Sequence, residues 1–99
     1  MDSTLIIRAV IRGRVQGVGY RAWIHHQAEL RGLQGWVRNS RDGSVEALFS
    51  GPAEAVRAML EACQQGPASA RVDAVDTGDA DETALARLGS GRFEVLPTA

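Results

Sequence analysis

At 99 residues the chain can bury one hydrophobic core but not a second, so one domain spanning 1–99 is expected. Hydrophobic residues at 44% and charged residues at 23% fit a globular chain, neither disordered nor membrane-bound, while a net charge of −1 excludes recruitment of nucleic acid by a global field. All eleven basic residues are arginine and Cys63 is the only cysteine, which excludes Schiff-base lysine chemistry, a Walker-type lysine, an internal disulfide and a thiolate metal cage.

The N-terminal MDSTLIIRAV has no basic segment ahead of a long apolar run, and no apolar run nears membrane-spanning length. No membrane association and a cytoplasmic location are therefore expected. Residues 5–12, LIIRAVIR, are β-branched and bounded by Gly13, and they read as a strand with Leu5, Ile7, Ala9 and Ile11 on one face and Arg8 and Arg12 on the other. From Tyr20 to Arg31 apolar residues recur every four positions at Tyr20, Ile24 and Ala28, with Gly32 as the stop, which predicts a helix. LQGWVRN (33–39) is a second strand, SRDG (40–43) a hairpin turn with Asp42-Gly43 supplying positive φ, and SVEALFS (44–50) an alternating third strand. Pro52 is placed in the first turn of a second helix, whose apolar stripe is Val56, Met59, Leu60 and Cys63. ARVDAVD (70–76) alternates again. Residues 78–91 are acidic, then short-helical or irregular, with Asp79 and Glu82 spaced as a weak capping box, and RFEVL (92–96) is a last strand. The order β-α-β-β-α-β plus a terminal strand predicts an α+β, ferredoxin-like sandwich: two helices on one face of a mainly antiparallel sheet.

Residues 13–21, GRVQGVGYR, hold three glycines, two arginines and no acidic residue. Glycine allows close backbone approach and positive φ, and exposed N–H groups curled around a point form an anion nest that a guanidinium can complete. A tight strand-to-helix turn reads equally well from this stretch alone. Asn39, before SRDG, likewise reads as a turn-initiating residue on its own.

GRVQGVGYR followed by GWVRNSRDGSVE (35–46) resembles the acylphosphatases, and the resemblance continues through Gly51-Pro52, ARVD (70–73) and FEV (93–95), covering nearly the whole chain. The acidic segment 76–82 and the trailing LPTA depart most. The resemblance implies an enzyme that hydrolyses the carboxyl–phosphate bond of acyl phosphates without metal or organic cofactor. It assigns the phosphate cradle to Val15, Gln16, Gly17, Val18, Gly19 and Tyr20, phosphate binding to Arg21, and orientation of the attacking water to Asn39. The chemistry allows this. No loop cysteine offers a phosphocysteine, no DxDx[TV] pattern offers a phosphoaspartate, and no His/Asp cluster has two-metal spacing. Positioning and charge stabilisation remain, and phosphoryl transfer responds to both. The implied partners are a small acyl phosphate and inorganic phosphate, the latter as product and competitive inhibitor, acting on a monomer. A non-catalytic phosphate sensor built on the same cradle is the alternative.

Other motifs carry less. GVGYRA (17–22) with Asp42 downstream mimics a dinucleotide fingerprint, but that site needs a doubly wound parallel sheet, which the hairpin at 40–43 breaks. His25 and His26 point about 100° apart on a helix, so only one pairs with Glu29, and two ligands do not make a metal site. The aspartates from Asp73 to Asp81, with Glu82, lack the glycine and spacing of a calcium loop. Trp23 and Trp36 are expected to cover the sheet, not to stack bases.

Overall fold

A computed structural model describes residues 3–81, 83 and 92–98. In chain order the elements are β1 (Thr4–Arg14), α1 (Tyr20–Leu30), β2 (Gln34–Asn39), β3 (Val45–Pro52), α2 (Ala53–Gln65), β4 (Arg71–Asp79) and β5 (Phe93–Val95). The strands form one sheet in the order β4-β1-β3-β2-β5, antiparallel throughout except for the parallel pair β2–β5. This is the ferredoxin-like arrangement with a terminal edge strand.

Alternation within the strands decides which face the helices cover. Ala9 and Ile11 of β1, Val37 of β2, and Val45, Ala47 and Phe49 of β3 are fully buried on one face. They pack against Tyr20, Ile24 and Ala28 of α1 and Val56, Met59 and Cys63 of α2, while Leu60 is only partly buried at the margin of this core. The opposite face carries the arginines. There Glu46, only 4% exposed, accepts hydrogen bonds from Arg8 and from Arg38 Nε (2.8 Å), and the Arg38 guanidinium lies 5.0 Å from the Trp36 ring centre. Removing one member of such a group strands a buried charge, so the network ties β1, β3 and β2 in register. Trp23 packs beside Tyr20, with ring centres 5.4 Å apart.

Three local expectations need correction. The hairpin is not a two-residue turn with positive φ at both Asp42 and Gly43: only Gly43 has it. Gly43 N–H donates to the Ser40 carbonyl (3.1 Å) and Ser40 N–H to the Ser44 carbonyl (2.9 Å), which makes a three-residue connection ending in left-handed glycine. Pro52 is not inside the helix: with φ −55 and ψ 140 it is extended, pairs with Thr4 as the end of β3, and caps α2. Proline fixes φ but not ψ, and the β1 ladder chooses the strand value. Finally, β4 continues to Asp79, opposite Ile7, so Asp79 is strand. Glu82 and most of the 78–91 segment lie outside the described residues.

Among the described residues, no helix is long and apolar enough to cross a membrane.

Candidate active site

The β1–α1 loop runs from Val15 to Gly19. Val15 turns its side chain into the core, and the chain then curls through Gly17 (φ 73) and Gly19 (φ 81). A Cβ at either glycine would meet nothing within 4 Å, so conformation, not crowding, requires glycine there. Gly19→Ala is therefore expected to cost about 1–2 kcal/mol of stability. For a domain of this size that lowers the thermal midpoint by roughly 4–8 °C per kcal/mol. An unchanged midpoint in a thermal scan would contradict the left-handed assignment.

Gly19 is also the N-cap of α1, and it contributes no side-chain cap, nor does any acidic residue occupy the first turn. Trp23 N–H closes the first turn on the Gly19 carbonyl at 3.1 Å. The N–H groups of Tyr20, Arg21 and Ala22 are left without intrahelical acceptors, at the positive end of the helix dipole. The sequence thus builds a helix start whose donors are open to an anion.

This helix start borders a cavity of about 270 Å³. It is lined by Val15, Gly17, Gly19, Tyr20, Arg21 and Ala22 from the loop and helix start, and by Asn39 of β2 and Val95 of β5. Arg21 is partly buried and, unlike Arg8, Arg12, Arg38 and Arg71, has no carboxylate partner among the described residues. Asn39 is the last residue of β2, opposite Val45. Its Oδ1 is buried and has no hydrogen-bond partner among the described residues. A buried acceptor without a donor costs about 1–3 kcal/mol. What this atom lacks is an O–H or N–H group.

The remaining loop residues have other contacts. Gln16 and Val18 are not among the cavity walls. Gln16 directs its side-chain amide to the carbonyls of Ser40 and Ser44, both at 2.7 Å, and the Val18 carbonyl accepts from Ser69 Oγ at 2.9 Å. The Tyr20 ring is buried and its hydroxyl donates to the Cys63 carbonyl at 2.8 Å, so Tyr20 reaches the site through its backbone alone. Burial drives the Tyr20 phenol well above the ordinary tyrosine range, and burial pushes the Cys63 thiol up to about 12, which leaves neither available as a nucleophile or proton donor near neutrality. At the hairpin, the Asp42 carboxylate accepts from Ser44 Oγ (2.6 Å) and Ser44 N–H (2.9 Å), and these bonds hold its pKa below the usual value.

His25 approaches Glu29 at 3.7 Å, and no group of three or more metal-ligating side chains forms among the described residues. Ala22 and Val95 are walls that the sequence reading missed. Ala22 follows Arg21 directly and could have been inferred from the helix start. Val95 comes from the far end of the chain, and no local signal marks it.

Comparison with known proteins gives a consistent result. The acylphosphatase family model matches residues 7–94. An acylphosphatase of Bradyrhizobium diazoefficiens is 57% identical over 98 residues, covering 97% of this chain and 98% of that protein. One of Nitrobacter hamburgensis is 53% identical over 99 residues, covering 99% of each. Among solved structures, the acylphosphatase of Bacillus subtilis superposes with a TM-score of 0.81 at 34% identity, covering 93% of this chain and 98% of that one.

Proposed function

Because the chain belongs to the acylphosphatase family, we propose the following division of labour for the residues of its cavity. The protein is an enzyme that hydrolyses the carboxyl–phosphate bond of acyl phosphates, releasing a carboxylate and inorganic phosphate. The substrate phosphate occupies the cradle formed by the backbone of residues 15–20 and the N-terminus of α1, with the Arg21 fork on two of its oxygens. Asn39 Oδ1 accepts a hydrogen bond from the attacking water and aims its oxygen at phosphorus. The P–O bond to the acyl group breaks as the water oxygen bonds to phosphorus, the electron pair leaves on the carboxylate, and the water's two protons stay with the released phosphate, which exchanges them with solvent.

That leaving group explains how so sparse a site suffices. The conjugate acid of a carboxylate has a pKa of about 4, so the acyl group departs without a general acid. Donors aimed at the developing charge are each worth roughly 10²–10³ in rate. An ester phosphate with an alkoxide leaving group needs a proton that no side chain among the described lining residues supplies, and it should be a poor substrate.

The observation that carries this reading is that Asn39, whose buried Oδ1 has no partner among the described residues, lines one cavity with Arg21, which has no carboxylate partner among them, and with an open helix N-terminus. A binding-only module would use the cations and gain nothing from a buried acceptor, which repels a phosphate oxygen and suits water. By the same reasoning inorganic phosphate occupies the same seat and competes with substrate. We take the enzyme to act as a cytoplasmic monomer on small acyl phosphates, independent of nucleic acid and membrane, and to need no cofactor.

The test is phosphate release from benzoyl phosphate in excess EDTA. Many turnovers per protein at the chelator-free rate are expected. Stoichiometric release, or loss of rate restored by Mg²⁺ or Zn²⁺, would contradict the proposed chemistry.

A further inference from the structure

The phosphate cradle and Asn39 belong to different parts of the chain, and nothing in the sheet ladder joins them directly. The cradle follows β1 and Asn39 ends β2, while β3 lies between those two strands. Among the described residues, one side chain bridges the 15–19 loop and the 39–45 hairpin. Gln16 Nε2 donates to the carbonyl of Ser40, next to Asn39 in the chain, and to that of Ser44, each at 2.7 Å. The same two carbonyls accept the hairpin's own bonds from Gly43 N–H and Ser40 N–H. The Gln16 amide therefore closes the base of the hairpin from outside and fastens it to the loop that curls around the anion seat.

We propose that the Gln16 side chain is a positioning group and not a phosphate ligand, while its backbone stays part of the cradle: it sets the separation between the bound phosphate and the water held by Asn39. The inference rests on the Asn39 reading above. Its physical basis is that attack requires reacting atoms about 3–3.5 Å apart, and a displacement of about 1 Å can cost ~10² in rate. A tie with both amide hydrogens used, in a half-buried setting, restrains that distance in a way the two exposed Arg12 ion pairs cannot.

The test uses two variants. Gln16→Met keeps the length and loses both donors; Gln16→Asn keeps the amide but is one methylene too short to reach both carbonyls. With benzoyl phosphate, Gln16→Met is expected to lower kcat by roughly 10–10²-fold, with KM and the inhibition constant of phosphate changed by less than about twofold. Gln16→Asn should recover part of the loss. Placed on Asn39→Ala, Gln16→Met should cost less than about threefold further, because the water it helps to aim is already lost. Equal losses in both backgrounds, an unchanged kcat, or a rise in KM and in the phosphate constant would each overturn the proposal. If Gln16→Met does not fold, Gln16→Asn carries the same comparison. A fully active Asn39→Ala single variant would instead remove the reading beneath it, and that outcome is visible without any change at Gln16.

Discussion

Arg21→Lys is expected to lose roughly 10²-fold or more of kcat/KM although the positive charge is kept. Arg21 stands in the first turn of α1, partly buried against the cavity, with no carboxylate partner among the described residues. Its planar fork can meet two phosphate oxygens at once, whereas an ammonium is a point charge on a flexible stem and cannot reproduce the paired geometry. Arg21→Ala should lose that activity and also most of the competitive inhibition by inorganic phosphate, since the seat keeps only its backbone donors. Folding serves as the control. No ion pair among the described residues is broken by either substitution, so the thermal midpoint should move by less than about 4 °C, as for surface changes within ±0.5 kcal/mol. A nearly wild-type kcat/KM in Arg21→Lys would point to another arginine as the clamp, such as Arg14 at the exposed end of β1.

Much of this was legible from the residues because the signals are local and periodic. Leu5, Ile7, Ala9 and Ile11 alternate along one strand face and Val56, Met59 and Cys63 follow one helix face; five of these lie in the core, with Leu5 and Ile7 partly buried against it. The glycine loop was legible for a different reason: only glycine reaches the left-handed values at 17 and 19 cheaply. Where the reading failed, a distant contact decided between two locally acceptable forms. Asp42-Gly43 suits both a two- and a three-residue hairpin, and the bonds from Ser44 to the Asp42 carboxylate accompany the longer form. Pro52 suits both a helix start and a strand end, and its partner Thr4 lies 48 positions earlier.

The site divides in the same way. Arg21 and the loop backbone follow from one contiguous motif. Asn39 reads locally as a turn residue, and only the family resemblance singled it out. Gln16 lies within the cradle motif, so its side chain's attachment to a hairpin 24 and 28 residues away has no local signature. Val95 is similar. It shares the inward face of β5 with Phe93 yet is 46% exposed at the cavity rim. A three-residue strand is too short for periodicity to show where cover by α1 ends.

Asn39→Ala is expected to produce the other large effect, and of a different kind. If Oδ1 orients the attacking water, the residue acts on the chemical step, while the loop and Arg21 still hold the ground-state phosphate. kcat and kcat/KM should then fall together by ~10²–10³, equivalent to about 3–4 kcal/mol, with KM nearly constant. Asn39→Asp should be at least as damaging, because a carboxylate there repels the phosphate dianion. Truncation also removes a buried acceptor that has no partner among the described residues, so the cost of losing the side chain at the end of β2 is partly offset and the thermal midpoint should fall only modestly. The most direct measurement is therefore the steady-state kcat of folded Asn39→Ala on benzoyl phosphate, taken with the inhibition constant of inorganic phosphate on the same sample. A kcat lowered at least about a hundredfold with phosphate inhibition retained is the predicted result. A full kcat, or a loss that tracks unfolding or lost phosphate binding, would make Asn39 a turn residue and contradict the mechanism.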